Sequence, residues 1–186
     1  MFEEKVLLLD KTGFPNRWIM PDDAAVIITN GRVAWSFGDT LTTLHGGYNR
    51  ISYTQSTLDI PSVIALDGVM KMRGKCPPLS NDSLFLRDQH LCLYCGKGFT
   101  KSKLTRDHIF PQSRGGKSTW DNLATACFRC NNHKKNNCTP EEAGMELIAL
   151  PYKPNIAEYL ILKAQGRILE DQMNFLKGHV SNLILD

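Results

Sequence analysis

LTRDHIFPQSRGGKSTWDNL (104–123) lies between CLYCG (92–96) and CFRCNNHK (127–134), and this stretch decides the fold. Its two outer segments are C-x-x-C pairs, Cys92/Cys95 and Cys127/Cys130, separated by the 31 residues 96–126. A tetrahedral zinc ion takes four soft thiolates, each pair presented by a tight turn. Gly96 and Gly98 suit the turn after the first pair, where amides must swing towards sulfur without a Cβ in the way. The competing reading is four buried thiols or a redox dithiol. One C-x-x-C suits redox chemistry, but two together rarely do. Between the pairs, Asp107 and His108 adjoin the apolar Ile109 and Phe110, which places them on a strand, and Gly115-Gly116 makes the following turn.

The order C-x-x-C, Asp-His-x-x-Pro, Gly-Gly, Asn-Leu, C-x-x-C-Asn resembles the core of the HNH endonucleases over Cys92 to Lys134. The resemblance implies a strand pair and a helix around one divalent cation, Mg²⁺ or Mn²⁺, with a separate structural Zn²⁺ pinning the hairpin to the helix. By motif position, Asp107 and Asn131 would be ligands of the catalytic metal, His108 the general base and Asn122 the middle polar residue. The chemistry agrees, because phosphodiester hydrolysis needs an activated water, a base titrating near neutrality and a cation against developing charge. DNA is the expected substrate. A zinc-stabilised nucleic-acid-binding module without cleavage is the alternative, and a thiol redox protein a third reading.

His133 is the competing ligand for the catalytic metal. It lies two residues beyond Asn131, and residues two apart on a helix point to different sides, so Asn131 is preferred and His133 is left to phosphate or solvent. Asp107 and His108 raise a related difficulty, since neighbours on a regular strand face opposite ways; a twist, bulge or strand end is required there. Asn122 is expected to fix the base-bearing loop by hydrogen bonds. Arg106, Arg114, Lys117, Arg129, Lys134 and Lys135 crowd the motif and are expected to meet phosphates, favouring backbone contact over base reading. His90, Cys76 and Cys138 have no ligand spacing beside a complete set of four cysteines.

Outward from the motif, VLLL (6–9) reads as a buried strand, and a helix is expected from Pro21 until Asn30-Gly31 stops it before the strand-like RVAWSF (32–37). A further strand is expected at Arg50 to Thr54, a loop over Lys71 to Pro78, and a short helix capped by Ser80-Asn81-Asp82. Thr139-Pro140-Glu141-Glu142 has the form of a capping box, predicting a helix from Pro140 to about Leu150. One or two terminal helices follow, to pack on the core or on a second subunit. The fold class is thus α+β, divided as an N-terminal α/β element (1–79), a zinc-bearing ββα nuclease domain (80–150) and a C-terminal helical segment (151–186). The 186 residues can bury a core without disulfides. No apolar run approaches a bilayer span, and MFEEK (1–5) has acids where a signal peptide would be basic. A cytoplasmic protein with no membrane partner is expected. The net charge of +3 is compatible with nucleic acid without requiring it, and a homodimer is a possible assembly.

Overall fold

The computed structural model describes residues 4–68, 76–135 and 137–181. In chain order its elements are β1 (Val6–Leu9), β2 (Pro15–Ile19), α1 (Pro21–Thr29), β3 (Val33–Tyr48), β4 (Gln55–Leu66) and α2 (Asn81–Arg87). There follow β5 (Leu104–His108), β6 (Leu123–Cys127), α3 (Phe128–Lys134), α4 (Ile156–Ala164) and α5 (Glu170–Lys177). These fall into two compact units: residues 4–68 with Ile156–Ser181, and residues 76–155. The helices after 155, expected to pack on the core or on a second subunit, thus belong to the same unit as residues 4–68.

In the first unit the sheet order is β2-β1-β4-β3, with β1 and β4 parallel and the outer pairings antiparallel. All four side chains of β1 are buried, which requires cover on both faces of the sheet. Val6, Leu8, Ile60 and Ile64 pack against Ala24 and its neighbours on α1. By strand alternation Leu7, Leu9, Val63 and Ala65 point the other way, where α4 packs on β2 and α5 on β3 and β4. Gln172 of α5 is fully buried and donates to the carbonyls of Lys5 and Ser62, so a polar residue ties that layer down.

The sequence locates α1 and its stop correctly, with Gly31 left-handed after Asn30. The strand expected at Arg50–Thr54 is instead the turn between β3 and β4. There Asn49 accepts amides from Ile51 and Ser52 through its side chain, and Tyr53 turns left-handed. Ile60-Pro61-Ser62 belongs to β4. Pro61 faces Thr40 where the register slips, the kind of place a strand can hold a proline. Of the loop expected at Lys71–Pro78, residues 71–75 lie outside the described residues.

The second unit is built on the order strand, strand, helix. β5 pairs antiparallel with β6 in unbroken register from Leu104↔Cys127 to His108↔Leu123, and α3 begins directly after β6. The short helix expected over Ser83 to Asp88 is α2, which starts at Asn81 with Ser80 as its cap, Ser80 and Ser83 satisfying each other's amides. Its Leu84 and Phe85 pack with Leu104, Trp120 and Leu123. The helix expected from Pro140 to about Leu150 is not formed. Thr139 and Glu142 do exchange their hydrogen bonds, 2.9 and 3.3 Å, but only a single 3-10 turn, Glu141–Ala143, results. Gly144 ends it left-handed, and the chain is drawn away so that Ile148 N–H donates to the carbonyl of Leu93.

Candidate catalytic cleft and metal centre

The first cysteine pair sits in a tight knuckle closed by Cys92 N–H to the Lys97 carbonyl and Gly96 N–H to the Cys92 carbonyl, with Gly96 left-handed at φ 69°. Leu93 N–H donates to Thr125 of β6, which docks the knuckle on the strand pair. The second pair spans the β6–α3 junction, where Cys130 N–H points at Cys127 Sγ from 3.5 Å. All four sulfurs lie within 4.8 Å of one another, the crowding that four ligands of one tetrahedral ion require. Burial pushes the Cys92 thiol up, but the amides of Cys127, Cys95 and Tyr94 outweigh it and hold Cys92 below the ordinary range. Cys95 and Cys130 are pushed up, by burial first and then by the neighbouring sulfurs. Sulfurs so placed cannot all ionise without a cation between them. The donor set fits a structural zinc ion.

On the other side of β5 and α3, Asp107, His108 and Asn131 border one cleft of about 540 Å³, together with Arg106, Gln112 and Ser113. The difficulty of two adjacent strand residues is met by a strand end rather than a bulge: His108 is the last residue of β5, and the β5–β6 register has no slip. Asp107 is buried, accepting from Lys134 Nζ at 3.1 Å through one oxygen and from the Tyr94 hydroxyl through the other. His108 is half-buried, with Nε2 3.0 Å from Ser118 Oγ. Burial depresses its pKa below the ordinary histidine value; the charges of Arg106 and Lys134 act the same way, against an upward pull from Asp107. Asn131 donates from Nδ2 to Thr105 Oγ1 at 2.9 Å, which fixes the amide with its oxygen as the acceptor end.

Asn122 holds the loop after His108 in place. Its oxygen accepts from Phe110 N–H at 2.8 Å, and its nitrogen donates to the carbonyls of Phe110 (3.1 Å) and Lys117 (2.9 Å). The glycine pair completes that loop: Gly115 is left-handed at φ 93°, and a Cβ on Gly116 would lie 2.0 Å from the Phe110 carbonyl. His133 is exposed and does not line this cleft. It borders a separate cavity beside the cysteines, together with Arg129.

Lys134 requires a correction. Expected at the surface for phosphate, it is 1% exposed, and its ammonium is held by Asp107 and by the His108 carbonyl at 2.7 Å. Arg114 is exposed, but its charge is matched by Glu142 at 2.7 Å. Arg106 lies at the cleft with its guanidinium on Asn81, while Lys117, Arg129 and Lys135 are exposed. Tyr94 was not foreseen as part of the site. Its only sequence signal is an aromatic residue inside the first C-x-x-C; burial and then the Asp107 hydrogen bond push its hydroxyl pKa up, so it stays a donor.

The model of the HNH endonuclease family matches residues 92–148. A stretch of 46 residues is 44% identical to the CRISPR-associated endonuclease Cas9 of Corynebacterium diphtheriae, taking in 24% of this chain and 4% of that protein. The chain thus spans a small part of that relative's length.

Proposed function

We propose, from the premise that residues 92–148 are an HNH endonuclease domain, that this protein is a divalent-metal-dependent endonuclease that hydrolyses DNA phosphodiester bonds with His108 as general base. The observation that carries this reading is the convergence of Asp107, His108 and Asn131 on one cleft. The Asp107 carboxylate and the Asn131 amide oxygen are the hard donors that would hold Mg²⁺ or Mn²⁺. Such an ion, when bound, offsets the charge that develops on the leaving oxygen. His108, kept neutral at physiological pH, takes the proton of the attacking water, and Ser118 steadies the ring. Asn122 acts as a positioning residue through the loop it staples. Arg106, which borders the cleft, and the exposed Lys117 and Lys135 would meet the phosphate backbone. The zinc site serves the fold, in a reducing cytoplasm that keeps its thiols available.

One observation favours a second reading, a zinc-stabilised binding module without cleavage: both oxygens of Asp107 are already engaged. A carboxylate offers about four lone-pair sites, however, so Tyr94 and Lys134 leave capacity for a cation. Conversion of supercoiled plasmid to nicked and linear forms, with and without Mg²⁺, decides between the two, with RNA as a parallel substrate. Mg²⁺-dependent nicking is expected first, because a single one-metal centre cuts one strand at a time and double-strand cleavage calls for a second copy. Asn131→Ala should raise the Mg²⁺ concentration required, whereas His133→Ala should weaken substrate binding and leave the metal requirement nearly unchanged. The reverse pattern would move the ligand to His133. Failure of folded, zinc-loaded protein to nick in Mg²⁺ or Mn²⁺ would leave the binding module.

A further inference from the structure

The helix α3 has three uses. Cys130, with Cys127 before it, turns to the sulfur cluster, and Asn131 and Lys134 turn to β5. Arg129, Asn132 and His133, at positions i, i+3 and i+4, share the remaining face and border a cavity of about 960 Å³. That size falls in the range of roughly 300–1,000 Å³ typical of pockets that enclose a small molecule or a single chemical group of a larger one. Its apolar lining comes from Phe99, Phe128 and Met145, and its cations from Lys97, Lys103 and Arg129; Cys95, Cys127 and Cys130 of the sulfur cluster also border it, and no carboxylate stands among the described lining residues. Phe128 leaves 53% of its surface in water although it follows a zinc-site cysteine. The hydrolysis described above uses none of the six apolar and cationic side chains.

We propose that this cavity binds an unpaired nucleotide of a nucleic-acid strand, with the base stacked against Phe128 and the flanking phosphates met by Lys97, Lys103 and Arg129. An aromatic platform rimmed by cations is the chemistry by which proteins hold single strands without reading sequence. Duplex DNA presents phosphates outward and keeps its base faces stacked, so it would satisfy the cations and leave the apolar lining bare. An acidic peptide would do the same. Within a nucleic acid, a nucleotide freed from its stack offers a flat apolar face and adjacent negative charge together. The choice of nucleic acid as ligand rests on the endonuclease reading; the choice of an unpaired nucleotide rests on the cavity alone.

The test is fluorescence anisotropy with the full, zinc-loaded chain in the absence of Mg²⁺, using a labelled single-stranded oligonucleotide and the blunt duplex of the same sequence. Phe128→Ala should weaken single-strand binding on the order of tenfold and duplex binding less than twofold. Lys97→Ala with Lys103→Ala should weaken single-strand binding and flatten its salt dependence. Should Phe128→Ala disturb zinc content, Phe128→Leu keeps apolar volume without the aromatic face and should show the same selective loss. Unchanged single-strand binding in these variants, or equal losses on both substrates, overturns the proposal, as does equally tight competition by an acidic peptide. Plasmid nicking by the wild type separates the two ideas. Nicking without Phe128-dependent single-strand binding overturns this inference alone, whereas Phe128-dependent binding without nicking supports it and overturns the endonuclease reading.

Discussion

His108 ends β5 with its imidazole beside Ser118, and burial together with Arg106 and Lys134 favours its neutral form. A general base works when neutral, so activity should fall as pH drops through a pKa lying below the ordinary value of about 6.5. The acid limb of the kcat/KM profile is therefore expected below that pH, with a plateau towards neutrality; a limb above it would mean the imidazole is held charged. His108→Ala should retain fold and zinc yet lose about 10²–10⁴-fold in rate. That His108 shares a cleft with Asp107 and Asn131 was legible in the sequence because its neighbours form a motif. The burial of Lys134 was not, since a lysine beside Lys135 looks like any surface charge until the fold sets which face of α3 meets β5. Tyr94 was hidden for the same reason: the turn between two cysteines, not local spacing, aims its hydroxyl at Asp107.

Among the elements, α2 is joined to β6 by a buried charge pair. Arg87 bonds Asp88 through Nε at 2.7 Å and also donates to the carbonyls of Trp120 and Leu123, while Asp88 accepts Thr125 N–H. Arg87→Ala would strand the Asp88 carboxylate in the interior, a loss that typically costs about 3–5 kcal/mol. A fall in the urea midpoint of the unit that contains it is the expected result, and a shift worth under about 1 kcal/mol would mean that water replaces the guanidinium. The helix α2 could be read from its cap because the capping residues are local. Thr139 to Glu142 form an equally good cap, yet no helix grows from it, since Gly144 and the tie between Ile148 and Leu93 redirect the chain. β3 runs on to Tyr48, well past the RVAWSF stretch, because β4 pairs with it almost to the turn, a non-local cause that no window of sequence contains.

At the scale of the molecule, the two units have separate cores and only one contains the cysteine cluster. Because zinc binding is part of folding energy, Cys127→Ser or chelation should abolish one calorimetric transition and leave the other near its original temperature. Loss of both together would mean that the units unfold as one. The order of the two units along the chain, with residues 76–155 between the two segments of the first, also bears on how the protein is made on the ribosome. β1 to β4 are synthesised first, but α4 and α5, which cover Leu7, Leu9, Val63 and Ala65, follow only after the 80 residues 76–155. At roughly 5–20 residues per second that is a delay of about 4–16 s during which a sheet with one bare apolar face waits beside the exit tunnel. A nascent chain is then at its most chaperone-dependent while residues 76–155 are being translated, and a message cut short there yields a sticky sheet without the helices that cover it.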